Sequence, residues 1–572
     1  MQKLIIAEKP SLGRAIASFL GSIKGGDGFI ICKNNYTVTW AFGHLFEQAT
    51  PDDYGYKKWR LEDLPIIPES WKEKPRADAK KQLKIISELL KRAEVVIHAG
   101  DPDREGQAII DDILRHFKYK GMVKRLWLAA LDDDSIKKAF DSIKDNSGYK
   151  ALYDAAKARS KADWLVGMNG TRYFTLKSNQ AGVKSIGRVQ TPTLAMVVER
   201  DKKIEHFKPI DYFNIKASFD AGFDADWKPK EKIDEDGRCI DKAFAETTAK
   251  RIKGKQGIIS KYEKQRKKES PPLPHSLSSL QKEASAKYGF SAQKVLDLAQ
   301  ALYETHKLTT YPRSDCRYLP VSQHADAKKI LAVCSNAKNI DPSRKHAAFD
   351  DKKITAHHAI IPTGIKPKAL KPDEQKLFDL ICLSYAQLFM PDHIYDAVKI
   401  TVNIDGETFV ATGKAIIEQG WKESSKEVVL PVLKENYKTV CIDAKLEPKK
   451  TQPPKRFTDG TLIEAMANIH NIIEDETAKK TLRENAGIGT EATRAGIIEN
   501  LVKRGFLERK DKNIVSTVKG RELIQSLPEA VKSPTLTAQF ETALSDVAAA
   551  KTSADKFLKE IEGFVKTLVK EA

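Results

Sequence analysis

The strongest constraint on the fold is a short apolar run that ends in a cluster of acidic residues. Residues 94–99 (EVVIHA) have the composition of a buried strand, and the acidic turn DPDREG follows at 101–106. An earlier apolar run at 3–7 is followed in the same way by Glu8. Functional groups in open α/β sheets collect beyond the carboxyl ends of the strands. The two runs therefore predict an N-terminal parallel sheet, and if they are neighbours their carboxylates converge.

Carboxylates brought this close repel one another unless a positive charge neutralises them. Oxygen ligands of this kind suit Mg²⁺, which keeps several waters and often contacts phosphate. A solvated acidic turn is the simpler alternative, but the position of Glu8 at the matching strand end favours a metal site. Lys9 follows Glu8, where an ammonium group could balance a phosphate, although taken alone it is better explained as a surface lysine.

A second cluster surrounds Tyr311 in the segment KLTTYPRSD, residues 307–315. Residues 309–311 are expected to be extended, because Pro312 disfavours a helix at the residue before it. Arg313 would then share a face with Tyr311, where its guanidinium can bind two phosphate oxygens. A phenol, with a pKa of ~10, is a poor nucleophile unless a cation, base or metal activates it. On this motif alone, a half-buried packing tyrosine is the better explanation.

Three further polar groups are candidates for a nucleic-acid site. His357 lies in the segment AHHAIIPT (356–363), and SIGRVQTP (185–192) has hydrogen-bonding side chains that could hold a DNA backbone. Arg159 and Asp163 are four residues apart on a predicted helix, so they could equally form a surface pair. Each group has a structural explanation when it is considered separately.

Composition favours a nucleic-acid partner. The chain of 572 residues has a net charge of +19, and such a field attracts polyanions. Trp59, Trp164 and Arg172 mix aromatic and basic groups, as base stacking along a single strand requires, although tryptophans more often lie in cores. The six cysteines form no CxxC pair, which predicts no zinc, and the absence of GxxxxGK[ST] predicts no ATP. No apolar run approaches the roughly 18–20 residues of a membrane helix, and we expect a cytosolic protein.

The chain length predicts three to five domains at roughly 100–200 residues each. Amphipathic helices are predicted at 81–92, 151–167, 277–307, 373–389 and through most of the chain after 459, with strands at 211–222 and 397–415. Two stretches rich in proline and charge, 264–274 and 446–457, are predicted to be hinges. The expected fold class is mixed α/β and multidomain.

Together these segments resemble the type IA DNA topoisomerases, and the form of several motifs is that of topoisomerase III. The resemblance runs through nearly the whole chain in family order. Its motifs are IAEKPS (6–11), HAGDPDREG (98–106), ADWLVG (162–167), SIGRVQTP (185–192), LYETHKLTTYPRSDCRYLP (302–320), AHHAIIPT (356–363), TQPPKRFTDGTL (451–462) and GIGTEATRAGII (487–498).

The resemblance implies specific roles. Tyr311 matches the tyrosine that attacks the phosphodiester and becomes linked to the 5′ phosphate. Four residues would assist it at the active site: Arg313, Lys9, His357 and Glu105. One or two Mg²⁺ ions would be held by three carboxylates: Glu8, Asp101 and Asp103. Glu8 is also expected to protonate the leaving 3′ oxygen.

The same matching assigns a path for single-stranded DNA. Asn179 lies on it where relatives have an arginine, which puts its role in doubt. The residues expected to line this path are Trp59, Arg159, Asp163, Trp164, Arg172, Asn179, Ser185, Ile186, Gly187, Arg188, Val189, Gln190 and Arg313.

The family architecture implies four domains that form a toroid around a hole of DNA size. Residues 1–145 would form a Toprim domain (domain I), and 276–391 would form domain III, which carries the tyrosine. The β-rich hinge domain II would combine 209–275 with 392–450. The helical DNA-binding domain IV would combine 146–208 with 451–572.

The implied activity is ATP-independent relaxation of negative supercoils and decatenation of DNA with single-stranded regions. The protein would act as a monomer near the nucleoid of the bacterial cytosol, with a helicase as a candidate partner. Two alternatives stay open: another Toprim enzyme that uses Mg²⁺, such as a primase or nuclease, and a non-catalytic protein that binds single-stranded DNA.

Overall fold

The computed structural model describes residues 2–128, 133–178, 182–334, 340–354, 357–424, 426–484 and 487–571. The N-terminal region is a seven-stranded sheet with helices on both faces and a small two-stranded sheet beside it. Its strands are β1 (Lys3–Ala7), β2 (Ser22–Gly26), β3 (Phe29–Cys32), β4 (Tyr36–Trp40), β5 (Phe46–Gln48), β6 (Glu73–Pro75), β7 (Val95–Ala99), β8 (Met122–Arg125) and β9 (Lys144–Asp145). Its helices are α1 (Pro10–Phe19), α2 (Lys80–Leu90), α3 (Arg104–His116) and α4 (Asp133–Asp141).

The large sheet has the strand order β2-β3-β4-β1-β7-β8-β9. The four central strands are parallel, whereas the pairs at both edges are antiparallel. The expected parallel sheet is therefore the middle of a mixed sheet. Strand β7 is buried along its whole length, as a parallel strand covered on both faces should be. Separate apolar cores lie on the two faces of this sheet.

A second region is a closed barrel with the strand order β10-β11-β14-β13-β12-β15. Its elements are β10 (Asp211–Phe219), β11 (Phe223–Lys228), α7 (Lys242–Ile252), β12 (Gln256–Glu269), β13 (His393–Ile404), β14 (Glu407–Glu418) and β15 (Lys438–Lys450). Alternate side chains point inward, as in β11, and fill the barrel with an apolar core that includes Trp227.

The two predicted hinges are partly wrong, because each begins inside a long barrel strand. Strand β12 continues to Glu269 and β15 continues to Lys450, so only the later parts of both stretches are irregular. The charged residues that suggested a linker are the outward-facing and edge residues of these strands. The chain leaves the sheet only near Pro271 and Pro453, where proline has no N–H to donate to a ladder.

The remaining described residues are mostly helical. The segment with Tyr311 has α8 (Leu277–Tyr288), α9 (Ala292–Glu304), α10 (Ala327–Leu331) and α11 (Pro372–Gln387). A second helical region comprises α5 (Lys150–Lys177), α6 (Gln190–Glu205), α12 (Asp459–Ala467), α13 (Glu476–Glu484), α14 (Glu491–Lys503), β16 (Leu507–Lys510), β17 (Asn513–Ser516), α15 (Val518–Ser526), α16 (Glu529–Lys532), α17 (Thr535–Ala548) and α18 (Ala554–Glu571).

Contacts between these regions close a ring. The paired strands β10 and β15 lead from the barrel to the second helical region, and β12 and β13 lead to the segment with Tyr311. Helices α8 and α9 of that segment then pack against α12 and α14. Helix α5 joins the N-terminal sheet region, through α3, to α17 and α18. No helix in the described ranges has both the length and the apolar character needed to cross a membrane.

Candidate active site

The acidic residues meet at the carboxyl ends of two adjacent strands. Strands β1 and β7 pair in parallel with Ala7 opposite Ala99, which puts the residues that follow them side by side. The Glu8 backbone N–H donates to the Ala99 carbonyl (3.1 Å), and Glu8 Oε2 accepts from the Asp101 backbone N–H (2.8 Å). Asp103 caps the N-terminus of α3, and its carboxylate accepts from the Gly106 N–H at 2.7 Å. The expectation that these strands are neighbours is confirmed.

The turn after β7 is held from beneath by two buried side chains that the sequence reasoning missed. Arg125 is fully buried and donates to the carbonyls of Gly100 (2.8 Å) and Asp101 (2.7 Å). His98 Nδ1 accepts from the Gly100 N–H at 3.2 Å. Burial, together with the charge of Arg125, lowers the pKa of His98 well below its ordinary value, so the ring is neutral. An arginine within the apolar run VKRLWL was the available signal for this support.

The carboxylates differ in their affinity for protons. Burial, reinforced by the charge of Asp101, raises the pKa of Glu8 to about 7. Burial also acts to raise the pKa of Asp101, but hydrogen bonds and charge from His357 and Lys9 outweigh it and hold that pKa far below its usual range. Burial opposes the charge on Lys9, yet Asp101 prevails and the pKa of Lys9 is raised. At neutral pH the site thus combines an ionised Asp101, a charged Lys9 and a Glu8 that readily holds a proton.

Tyr311 lies directly against this acidic edge. The Lys9 ammonium is over the Tyr311 ring, 4.0 Å from its centroid. The His357 ring is tilted against the same ring, with centroids 4.3 Å apart. Asp101 Oδ2 joins the two halves of the site, because it lies 2.7 Å from Lys9 Nζ and 2.9 Å from His357 Nε2. Burial raises the pKa of Tyr311, and the charges of Lys9 and Arg313 act in the opposite direction.

The backbone at Tyr311 differs from the expected strand. Thr309 forms a single bridge to Pro362, and the Thr310 N–H donates to the Ile361 carbonyl at 2.9 Å. Pro312 cannot continue such a ladder because it has no N–H, and the chain turns at Pro312 and Arg313. Tyr311 and Arg313 therefore do not share a strand face. Arg313 is exposed, and its charge still acts on Tyr311 from the turn.

The donor atoms at this edge fit Mg²⁺, although they do not form a closed cage. The described residues contain no group of three or more His, Cys, Asp or Glu side chains already arranged around a metal position. Asp101 is paired with Lys9 and His357, and Asp103 caps α3 through one oxygen. Mg²⁺ commonly binds through one or two carboxylates, waters and substrate phosphate. Glu8 and Asp103 meet that lesser requirement.

Glu105 is paired with two cationic side chains beside this group. Its carboxylate accepts from Arg159 Nη1 at 3.0 Å and lies 3.3 Å from His44 Nε2. Burial acts to raise the pKa of Glu105, but the His44 hydrogen bond and the charge of Arg159 lower it to about 2. Glu105 therefore holds Arg159, which itself lies 3.9 Å from Asp163.

Two of the residues expected on the DNA path are stacked together. Arg172 is buried under Trp59, with 5.2 Å between its guanidinium carbon and the ring centroid, and donates to the Tyr56 carbonyl. The Nε and Nη1 groups of Arg172 have no hydrogen-bond partner in the described part of the chain. Trp164 is engaged differently, because it packs against Trp71 and donates its indole N–H to the Ala49 carbonyl. Its geometry is that of a packing residue.

Half of the residues in the segment 185–190 are buried. Ser185, Ile186 and Arg188 are each less than one-tenth exposed, and Gln190 Nε2 donates to Ser185 Oγ. Ile186 packs against Gly170 of α5, which holds the segment on that helix. The other two residues of this segment, Gly187 and Val189, are partly exposed. Asn179 lies outside the described residues.

The chain is similar to known topoisomerases along its whole length. A family model described as DNA topoisomerase matches residues 147–559, and a Toprim domain model matches residues 3–131. The chain therefore belongs to the type IA family of DNA topoisomerases, and DNA is its substrate. This confirms the predicted mixed α/β fold with an N-terminal Toprim domain.

The relatives define the branch of the family. The DNA topoisomerase 3 of Haemophilus influenzae is 42% identical, over 99% of this chain and 94% of the relative. The DNA topoisomerase 3 of Bacillus subtilis is 38% identical, over 99% of this chain and 81% of the relative. Full-length topoisomerase I from Thermotoga maritima has the same fold, with a TM-score of 0.71 at 24% identity over 99% of this chain and 90% of that one. The chain thus groups with the bacterial topoisomerase III enzymes, and nothing in these likenesses favours the alternative functions.

Proposed function

We propose that Tyr311 is the nucleophile that cuts one DNA strand and stays linked to its 5′ phosphate. The observation that carries this proposal is the position of the Lys9 ammonium, 4.0 Å from the centre of the Tyr311 ring. A cation there favours the phenolate, so Tyr311 loses its proton to solvent water as it attacks phosphorus, and the same cation attracts the phosphate. Arg313, exposed on the adjacent turn, supplies a second cation that can bind two phosphate oxygens.

Glu8 is the proposed acid for the leaving group. When the bond from phosphorus to the 3′ oxygen breaks, that oxygen needs a proton. In the metal-free site, burial and the charge of Asp101 raise the pKa of Glu8 to about 7, so Glu8 can hold a proton at neutral pH, which is the condition for a general acid. The same residue can take the proton back when the 3′ hydroxyl attacks the phosphotyrosine.

His357 and Lys9 keep the closed site together. His357 contacts Asp101 Oδ2, and Lys9 contacts His357 Nε2 and the Tyr311 ring, so the segment with Tyr311 stays against the acidic edge while cleavage proceeds. Mg²⁺, held by Glu8, Asp101 and Asp103 with Glu105 nearby, would neutralise the developing charge on the phosphate. One or two Mg²⁺ ions would bind there.

Religation needs no ATP in this scheme. The phosphodiester to tyrosine is similar in energy to the DNA bond that it replaces, so cleavage stores the energy for resealing. Between the two steps the segment with Tyr311 must move away from the acidic edge to open a gate, and such a movement can limit the rate. The outcome is relaxation of negative supercoils and decatenation at single-stranded regions.

The four-domain division is part of the proposal, with Toprim at 1–145, domain IV at 146–208 and 451–572, domain II at 209–275 and 392–450, and domain III at 276–391. The ring of contacts supports a toroid whose hole admits duplex DNA. Trp59, Arg172 and the 185–190 segment would line the single-strand path, with Arg159 and Asp163 beside it. We further propose that the protein acts as a monomer in the bacterial cytosol near the nucleoid. A helicase would supply the single-stranded regions of DNA. The protein would need no zinc.

Relaxation of a negatively supercoiled plasmid tests the proposal. Tyr311→Phe should abolish relaxation while DNA binding stays near normal. Tyr303→Phe is the matched control, because the Tyr303 ring meets the Tyr311 ring edge-on at 5.7 Å but has no role in the chemistry. Asp101→Ala combined with Asp103→Ala should weaken the response to Mg²⁺. Relaxation by Tyr311→Phe, or an unchanged Mg²⁺ titration in the double variant, would refute the corresponding assignment.

A further inference from the structure

Six charged side chains form a closed ring of alternating sign beside the acidic edge. The six, in order around the ring, are Arg104, Glu541, Arg188, Asp163, Arg159 and Glu105. The successive distances between charged atoms, starting from the first pair and returning to it, are 2.7, 2.9, 2.9, 3.9, 3.0 and 4.0 Å. The ring joins α3, α5, α17 and the 185–190 segment, which are far apart in sequence.

Glu541 is the buried carboxylate of this ring. Its side chain is 9% exposed, compared with 41% for both Asp163 and Glu105. Each oxygen has its own arginine, because Oε2 accepts from Arg104 Nη2 and Oε1 accepts from Arg188 Nη1. Burial acts to raise the pKa of Glu541, but the charges of Arg188 and Arg104 outweigh it and lower that pKa. Exposed ion pairs contribute little, so Glu541 is the carboxylate of the ring whose loss should matter most.

The two arginines connect Glu541 to two different parts of the site, the turn that carries Asp103 and the proposed DNA path. Arg104 directly follows Asp103, at the start of α3. Arg188 lies in the segment proposed to line the DNA path, and its own carbonyl accepts from Thr537 Oγ1, one turn before Glu541 on α17. Arg188 is buried, and its pKa is raised because two carboxylates outweigh the effect of burial. Helix α17 therefore binds both the backbone carbonyl and the guanidinium group of Arg188.

We propose that Glu541 is a positioning residue that holds Arg104 and Arg188 at once, and so sets both the metal-binding turn and the DNA path. This inference rests on the proposed function, because it uses Asp103 as a metal ligand and Arg188 as part of the DNA path. Without the Glu541 charge, Arg104 is left with Glu105 at 4.0 Å as its remaining partner in the ring and shifts the turn that carries Asp103. Arg188 loses the partner of its Nη1 group and keeps Asp163 as its remaining partner in the ring.

The test measures two half-saturating concentrations in an oligonucleotide cleavage assay, one for Mg²⁺ and one for single-stranded DNA. Removal of residues that orient metal ligands typically costs 10–100-fold in metal affinity or activity, so Glu541→Gln should raise the Mg²⁺ value by about 10-fold, and the DNA value should rise as well. Arg104→Met should raise mainly the Mg²⁺ value, and Arg188→Met mainly the DNA value. Adding Glu541→Gln to Arg104→Met should raise the Mg²⁺ value no further.

Controls separate this role from a loss of stability. Glu560→Gln, an exposed position on α18, should leave both concentrations at wild-type values. A purely structural role for Glu541 would lower the unfolding temperature and the amount of active enzyme while both half-saturating concentrations stayed normal, and that result overturns the proposal. Additive effects of Glu541→Gln and Arg104→Met on the Mg²⁺ value overturn it as well.

A second variant covers the case in which Glu541→Gln does not fold. Glu541→Asp keeps the charge but is one methylene shorter, so it can reach only one of the two arginines. One of the two concentrations should then rise while the other stays normal, and wild-type values for both contradict the proposal. If the two arginine variants themselves change neither concentration, the proposed metal turn and DNA path are wrong, whatever Glu541 does.

Discussion

His357 is the side chain through which the segment with Tyr311 contacts the acidic edge, and we expect its replacement by phenylalanine to slow DNA cleavage. His357→Phe keeps a ring against Tyr311, where the centroids are 4.3 Å apart. It removes Nε2, which lies 2.9 Å from Asp101 Oδ2 and 3.2 Å from Lys9 Nζ. The variant therefore separates hydrogen bonding from ring packing.

The size of the effect follows from the bond that is lost. A hydrogen bond to a charged partner contributes about 1.5–3 kcal/mol, which corresponds to a factor of about 10–150. The His357 and Asp101 side chains are 22% and 10% exposed, so solvent weakens this bond only in part. We expect single-turnover cleavage of an oligonucleotide to slow by about 10-fold or more, at the lower end of that range.

The assay measures the rate at which protein-linked DNA accumulates under saturating Mg²⁺ and DNA. His358→Phe is the control, because that imidazole bonds to Gln323 and to the Ala359 carbonyl within its own segment. It should cleave near the wild-type rate. Equal rates for His357→Phe and wild type would refute the reasoning, since they would mean that the contact with Asp101 does not hold the closed site.

Three further predictions concern charge, space and pH. Arg313→Gln should slow cleavage by about 100-fold with little change in DNA binding, because the guanidinium is needed as charge develops on the phosphate. The control is Arg92→Gln, since Arg92 is exposed on the Toprim surface. Equal cleavage rates for the two variants would contradict the role of Arg313. Gly106→Ala should impair the Mg²⁺ response of relaxation and lower the unfolding temperature, because a Cβ there would lie 2.5 Å from the Asp101 backbone nitrogen and 2.7 Å from Glu8 Oε2. Such overpacking costs about 1–3 kcal/mol, and a normal Mg²⁺ titration would show that the turn accommodates the methyl group. Glu8 has a folded pKa of about 7 against an ordinary 4.5, so its protonated form stabilises the fold below pH 4.5 and that stabilisation is lost as the pH rises through 7. In EDTA, Glu8→Gln should therefore flatten the fall in unfolding temperature over this range, and an unchanged slope would contradict the shifted pKa.

The acidic edge could be predicted from sequence because its geometry is local and periodic. Two apolar runs with acids directly after them imply parallel strands with adjacent ends, and the structure pairs Ala7 with Ala99 accordingly. Tyr311, the proposed nucleophile, could be singled out only through the resemblance to a family. Its local motif predicted an extended strand, whereas the structure has a single bridge at Thr309 and then a turn at Pro312.

Long-range partners could not be predicted in this way. Lys9 and His357 are 348 positions apart, and Arg104 and Glu541 are 437 apart, so no spacing rule brings them together. The charged run of β12 was read as a linker, because the outer surface of a barrel strand and a solvated hinge have the same composition. Only the pairing of β12 with β13, which lies far along the chain, distinguishes the two.

The most direct test of the central claim is to identify the residue that carries the DNA. The protein cleaves an oligonucleotide in the presence of Mg²⁺, and denaturing conditions trap the covalent intermediate between the protein and the 5′ phosphate. The protein is then digested, and its peptides are mapped by mass spectrometry. We expect one modified peptide, with the nucleotide phosphate on Tyr311. Attachment to any other residue, or cut DNA with no protein attached, would contradict the claim that Tyr311, which lies against the acidic edge, cuts the DNA.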